Sequence, residues 1–182
     1  MALSTMSTQI VGPDRQIDLS QQSILAFVGR DFAGGWTGRI AAGALIGGAF
    51  DGAAGAAGWI GGVSLGRTFL AATGNWPFVT GSAAIAVSHR ALSGNFRLLA
   101  GDVRIGTEVG WQLGPLAVYA IGRLFGGPVI WDGPGPSGVG GDRAHFQLGG
   151  GLQARIGSRF SIFAEFIPLG EKGGSAGCAL RL

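Results

Sequence analysis

Charged residues are scarce in this chain, at 13% of 182 positions, against about 25% in an ordinary soluble domain. A water-facing surface of this size needs more charge, so much of the exterior is expected to face something other than water. Cysteine is nearly absent: Cys178 stands alone and has no internal disulfide partner, which leaves the redox compartment undefined. Long apolar runs are missing too. The longest stretch without Asp, Glu, Lys or Arg, Thr68 to His89, is interrupted by Thr-Gly-Asn-Trp-Pro at 73–77. That turn sequence breaks a helix near its middle, whereas a membrane-spanning helix needs about 20 mainly apolar residues. No secretory signal is visible, because Met1 to Ser20 carries Asp14, Arg15 and Asp18 and has no apolar segment. If the chain is exported, the expectation is that it is the mature form.

The net charge of +3 and the basic balance raise the question of nucleic acid. The arginines, however, are scattered singly, at 39, 67, 104, 123, 155 and 181 among others. There is no Lys/Arg run, basic stripe or nucleic-acid-binding motif, so no nucleic-acid partner is expected.

What is abundant is glycine, 37 residues, about three times its usual share of roughly 7%. A three-residue glycine period is lacking, which excludes collagen, and the apolar content is too high for a disordered linker. The apolar residues follow a period of two. From Leu99 to Leu113 one parity reads Leu99, Gly101, Val103, Ile105, Thr107, Val109, Trp111, Leu113; the other holds Asp102, Arg104, Gly106, Glu108, Gly110 and Gln112. At 100° per residue the apolar set spreads around the circumference, and at 180° it falls on one face. That pattern is a strand.

The alternation recurs over 145–156, where Phe146, Leu148, Leu152 and Ile156 oppose Gln147, Gln153 and Arg155. It recurs again in Phe160, Ile162, Ala164 and Phe166, in 176–182, and in Ile40, Ala42, Ala44 and Ile46. Residues 58–71 and 78–90 follow it less cleanly, and in 116–126 neither parity is clearly the outer one. Eight segments emerge, 38–50, 58–71, 78–90, 98–112, 116–126, 143–156, 159–170 and 173–182, each near the 9–11 residues that a tilted strand needs to cross a bilayer. The connections Gly114-Pro115 and Gly157-Ser158 are tight, while 127–142 is long and rich in Gly and Pro. The expectation is an all-β, eight-stranded antiparallel up-and-down transmembrane barrel over 38–182. Residues 1–37 are read as an N-terminal extension with a short amphipathic helix at about 20–32, capped by Asp18 or Ser20. The same residues alternate weakly, which leaves a ninth strand open.

A soluble barrel would put its large apolar residues inside and its charges outside. Here the polar face carries mainly Gly, Ser and Ala, too small and sparse for a solvated exterior but suited to a narrow lumen. The apolar face, with Trp59, Trp111, Phe146 and Phe160 near strand ends, suits lipid and its aromatic girdles. The Gly/Ala tract 38–66, with Gly43, Gly47, Gly58, Gly62 and Gly66, also fits a glycine-zipper helical hairpin. The strands downstream favour strands here too, with Asp51-Gly52 as a turn.

The segment rhythm over 38–182 and the closing strand Ser175–Leu182 resemble the small outer-membrane barrels of the OmpA/OmpX type. The likeness is architectural. It implies a porin-like transmembrane fold in the outer membrane of a Gram-negative bacterium, with membrane lipid and lipopolysaccharide as its surroundings. Fold does not settle function. Such barrels include lipid A-modifying enzymes, but the nearest chemistry is Ser88-His89 with Ser93, and adjacent strand residues point to opposite faces. His145, beside Asp142 and Arg143, reads as a rim residue. No metal-ligand cluster, P-loop or hydrolase motif is present, and Gly149-Gly150-Gly151 sits within a strand. No enzyme activity, cofactor or metal is therefore expected.

The inward parity carries Arg39, Asp102, Arg104, Glu108, Arg155, Glu165 and Arg181, nearly balanced in sign. Buried charges must pair or they cost several kcal/mol each, so these residues are expected to form an ion-pair plug in the lumen. Glu108 and Glu165 are expected to pair with Arg104, Arg155 or Arg181. The functional expectation is a structural, adhesive or recognition role through external loops. The alternatives are a narrow pore for small solutes or ions, and a lipid-modifying enzyme.

Overall fold

The computed structural model describes residues 1–12, 16–92, 96–132 and 137–180. Twelve strands follow in order: β1 Ala2–Val11, β2 Gln16–Phe32, β3 Trp36–Phe50, β4 Ala53–Leu70, β5 Phe78–Leu92, β6 Phe96–Leu113, β7 Leu116–Gly126, β8 Pro128–Asp132, β9 Gly138–Asp142, β10 Phe146–Ile156, β11 Phe160–Gly170 and β12 Lys172–Leu180. All pairings are antiparallel, in the order β12-β11-β10-β7-β6-β5-β4-β3-β2-β1, and β1 pairs with β12 to close a barrel of ten strands. β8 and β9 stand outside that ring. Among the described residues the only helical turn is the three-residue piece Ala33–Gly35.

All eight expected segments are strands, but the barrel is not eight-stranded. The two additional staves come from the N-terminal segment, and the helix expected at about 20–32 is part of β2. The reason is visible in its burial. Ile17, Leu19, Gln21 and Ser23 point inward and are buried, while Gln16, Asp18 and Gln22 stand exposed. Strand period therefore wins over the weaker helical bias, because both edges of the segment find partners: β2 pairs with β1 from Leu25 to Gln16 and with β3 from Leu19 to Phe32. Asp51 and Gly52 turn the chain between β3 and β4 with φ of 51° and 78°. Positive φ at both central residues is what the two-residue hairpin turn requires, and Asp-Gly tolerates it.

The wall is uneven in height. β2 to β6 run 15–18 residues, whereas β7, β10 and β11 have 11 and β12 has 9. Above the short side, β8 continues the line of β7 along β6, with Ala100 opposite Val129, and β9 returns to pair with β1 at Ile10 and Val11. Gly127 makes this bend, since a Cβ there would lie 2.0 Å from the Gly101 carbonyl oxygen. The short β11–β12 hairpin is wedged below the β9–β1 pairing. The end away from residues 1 and 180 is thus a collar formed by β1–β6 with β8 and β9.

The collar is filled by an apolar core. Ile10, Ile17, Leu19, Phe50, Leu98, Val129 and Trp131 are buried together, with Met6, Phe96 and Ala100 against them. The Phe50 ring lies 5.5 Å from Phe96 and 5.9 Å from Trp131. Below this stopper, small residues such as Ala41, Gly43, Gly62, Ser64 and Ala84 line β3 to β5, and Arg39, Ser82 and Gln153 on the inward parity are exposed. The interior is therefore closed at the collar and open towards the other end.

Outside, the expected apolar faces do point outward. Ile40 is 66% exposed, Ile105 64% and Phe166 69%, and Val103, Leu148, Leu152, Ile162 and Leu180 lie on the same surface. Trp59, Trp111, Phe146 and Phe160 are all on it. In β7, the segment of undecided parity, Ala117, Tyr119, Ile121, Arg123 and Phe125 face in and Leu116, Val118 and Leu124 face out.

Candidate functional site: two charge clusters and a stoppered lumen

The paired inward charges gather in two clusters at different heights. The lower one centres on Arg123 of β7. Its Nη2 donates to Glu165 Oε1 and Oε2 at 3.3 and 3.2 Å and lies 3.6 Å from Glu108 Oε1. Tyr119 Oη and Ser175 Oγ each donate to Glu165 at 3.4 Å. β6, β7, β11 and β12 are thereby tied together across the lumen. One guanidinium serves two carboxylates, and the two hydroxyls fill part of the remaining acceptor capacity of Glu165.

The upper cluster lies directly under the apolar stopper. Arg104 Nε donates to Asp102, and its Nη2 donates to Glu171 Oε1 at 3.1 Å. Gln147 Nε2 also donates to Glu171 Oε1, and Thr8 Oγ1 donates to Asp142 at 3.5 Å. The Arg104 guanidinium sits 5.4 Å from the centre of the buried Phe125 ring, a cation–π contact. Glu171 is only 2% exposed. It lies in the connection between β11 and β12, where the ten-stranded ring gives way to the collar.

Three carboxylates share one guanidinium here, and protonation relieves the imbalance. Burial pushes Glu171 up to about 7, helped by the nearby Asp142 and Asp102 and opposed by Arg104. Burial, then Asp102, also raises Asp142. A carboxyl whose folded value is raised holds a proton that the unfolded chain releases. The contribution of Glu171 is therefore full below its unfolded value of 4.5 and is lost as pH rises to about 7. The urea midpoint in micelles is expected to be higher at pH 5 than at pH 8, with Glu171→Gln flattening that slope. Equal slopes for wild type and variant would show that Glu171 is not the group responsible.

Of the residues anticipated as a lumen network, the structure brings Asp102 and Arg104 together in the upper cluster and Glu108 and Glu165 in the lower. The partner of both glutamates is Arg123, not Arg104 or Arg155. Arg39 lies on the inward parity of β3, its side chain against Gly29, and is exposed. Arg155 is likewise exposed near the open end, and among the described residues neither makes an ion pair. Arg181 lies outside the described residues. Sequence reasoning passed over Arg123, whose segment had no clear parity, and Glu171, which sits in a turn. Gln147 and Tyr119 carry no charge and drew no attention.

The catalytic candidates separate as expected from strand geometry. Ser88 is buried on the inner face, whereas His89 is on the outer face, stacked on Trp59 at 6.2 Å. Ser93 lies outside the described residues. His145 is exposed at the rim, where its carbonyl accepts from Phe125 N at 3.0 Å. Among the described residues no group of His, Cys, Asp or Glu is arranged to hold a metal ion, and no helix is long and apolar enough to cross a membrane. Comparison with family models, with curated proteins and with solved structures finds no match.

Proposed function

We propose that the chain is a non-enzymatic barrel of a bacterial outer membrane, with a structural, adhesive or recognition role exercised through its collar. The observation that carries this reading is the inversion of an ordinary globular protein: large apolar side chains stand exposed around the wall while the ion pairs sit inside. An exposed apolar surface this continuous marks contact with lipid or with another protein, and the outward aromatics suit the interfacial girdles of a membrane barrel. Membrane lipid and lipopolysaccharide are the partners this placement implies, and no nucleic acid enters the reading.

The polar part of the outer surface supports a role for the collar. Thr5, Ser7, Gln9, Gln16, Asp18 and Gln22 of β1 and β2 stand exposed there. Arg143 donates to Gln9 at 2.8 Å and to Gln16 at 3.3 Å, and Gln9 donates to Asp18 at 3.1 Å. This hydrogen-bonded patch suits water and polar partners. The second reading, a narrow pore, is favoured by exposed Arg39, Ser82 and Gln153 in the open half, but it requires the apolar stopper to move.

The chain is expected to be insoluble without detergent and to fold in micelles with a mainly β far-UV circular dichroism spectrum. In planar bilayers its conductance should stay near the baseline. A monodisperse folded protein in plain buffer would refute the membrane reading. Stable single-channel currents would replace the stoppered barrel by the pore, and a change in lipid A mass on overexpression would replace it by an enzyme.

A further inference from the structure

The β3–β4 ladder has a gap. Pairing runs from Trp36↔Arg67 to Leu45↔Gly58 and resumes at Ala49↔Ala54, leaving 46–48 and 55–57 unladdered in the same register. The flanking strands shift here as well: β2–β3 changes register beyond Gln22/Gly47, and β4–β5 changes between Gly55 and Gly58. Both lips of this window are built from small residues apart from Ile46, which points outward.

Behind the window lies the guanidinium of Arg90, which is 1% exposed. Its Nη2 donates to the Gly47 carbonyl across the gap, and it packs so closely on Gly55 that a Cβ there would lie 2.6 Å from Cζ. Among the described residues Nε and Nη1 have no hydrogen-bond partner and Arg90 pairs with no carboxylate. A buried charge without a counter-ion is costly, and a guanidinium with two donors free is built for bidentate contact with an oxyanion. The level is also telling. His89, the preceding residue on β5, projects outward at this height and stacks on Trp59, and aromatics of that kind mark the headgroup level of a bilayer.

We propose that the window between β3 and β4 binds the oxyanion head of a membrane amphiphile, with Arg90 as its counter-charge and the outer apolar face beside Ile46 and Trp59 taking the tail. This inference rests on the membrane reading above. The window is closed over Arg90 in this structure, so the head parts 46–48 from 55–57, displaces the Gly47 carbonyl and occupies Nε and the terminal nitrogens, and no covalent step is involved.

The test is native mass spectrometry of the protein folded in neutral maltoside micelles. The probes are phosphatidylglycerol, phosphatidylcholine with the same chains, and inorganic phosphate alone. Wild type should retain phosphatidylglycerol over phosphatidylcholine, and Arg90→Gln should lose that preference by about tenfold or more, the effect of removing one charge-assisted contact. Arg30→Gln, on the exposed outer surface, should keep it.

Should Arg90→Gln fail to fold, Ile46→Cys with Ala57→Cys in a Cys178→Ser background provides a second route. Oxidation should close the window and abolish the preference, and reduction should restore it. Undiminished preference in folded Arg90→Gln or in the locked window would make the guanidinium a wall staple and overturn the proposal. Equal retention of inorganic phosphate would overturn the amphiphile. A chain that folds in plain buffer and rejects both lipids overturns the membrane reading as well. One that folds only in micelles and binds both lipids equally overturns this inference alone.

Discussion

Arg123→Met is expected to lower the free energy of unfolding in urea by about 2–4 kcal/mol, somewhat below the 3–5 typical of breaking a fully buried pair because the cluster is partly hydrated. The side chains of Arg123 and Glu165 are 20% and 16% exposed, so water recovers only a fraction of the lost interaction. Without the guanidinium, Glu108 and Glu165 face each other across the lumen with only Tyr119 and Ser175 as donors to Glu165. Adding Glu165→Gln to Arg123→Met should return part of the loss, since one of the two stranded charges disappears. A double-mutant cycle reads that coupling directly. Additive losses would mean that the two groups do not interact in the folded protein.

Val103→Arg and Leu152→Arg test the outer surface and should each cost about 2–4 kcal/mol if they lie near the bilayer midplane. Both positions are about half exposed on the outer face, so in water an arginine there would be nearly free. The penalty arises from hydrocarbon alone, which makes these substitutions a direct readout of the medium. Gly106→Ser is a poor lumen control, because a Cβ at Gly106 would lie 2.8 Å from Arg123 Cγ. Ser82→Ala, on the exposed inner face, is the better comparison and should change little. Equal tolerance of arginine at 103, at 152 and in the lumen would dismiss lipid as the surroundings.

Much of the wall was legible from residue order because period two is a local signal. Between Leu99 and Leu113 each residue's face follows from its parity, and the structure keeps that assignment through Ile105 and Trp111. β7 resisted because both its faces are apolar: Leu116, Val118 and Leu124 meet the exterior, and Ile121 and Phe125 pack inward. β1 was passed over, and β2 read first as a short helix with a strand left open, for a related reason. Near the collar their inward residues, Ile10, Ile17 and Leu19, are the apolar ones, and Gln9, Gln16 and Asp18 face out. The polarity of the two faces thus reverses along the same strands, which blurs any single pattern. β8 and β9 lie in a Gly/Pro-rich tract that reads as loop.

The charge partners were illegible for a different reason. Arg123 and Glu165 are 42 residues apart and Arg104 and Glu171 are 67 apart. Parity says that a charge points inward, but not which strand faces it or at what height. That information depends on strand count and register. An interior imagined with eight staves brings different arginines to Glu165 than one with ten.

The seam poses a problem of assembly. β1 meets β12 over only six register pairs, Ala2↔Gly177 to Ser7↔Lys172, and β9 meets β1 over two more. Every other joint of the ring except β7–β10, which spans the β8–β9 excursion, can form as a hairpin between neighbours in sequence, at small loss of chain entropy. This joint must gather residues from opposite ends of the described chain, so it has the highest contact order in the molecule and forms late. Until it does, β1 and β12 are bare edges able to pair with another chain. The collar offers a remedy. Once Ile10 and Trp131 share one apolar core, β1 is held beside β9, and β12 has only a short gap left to zip.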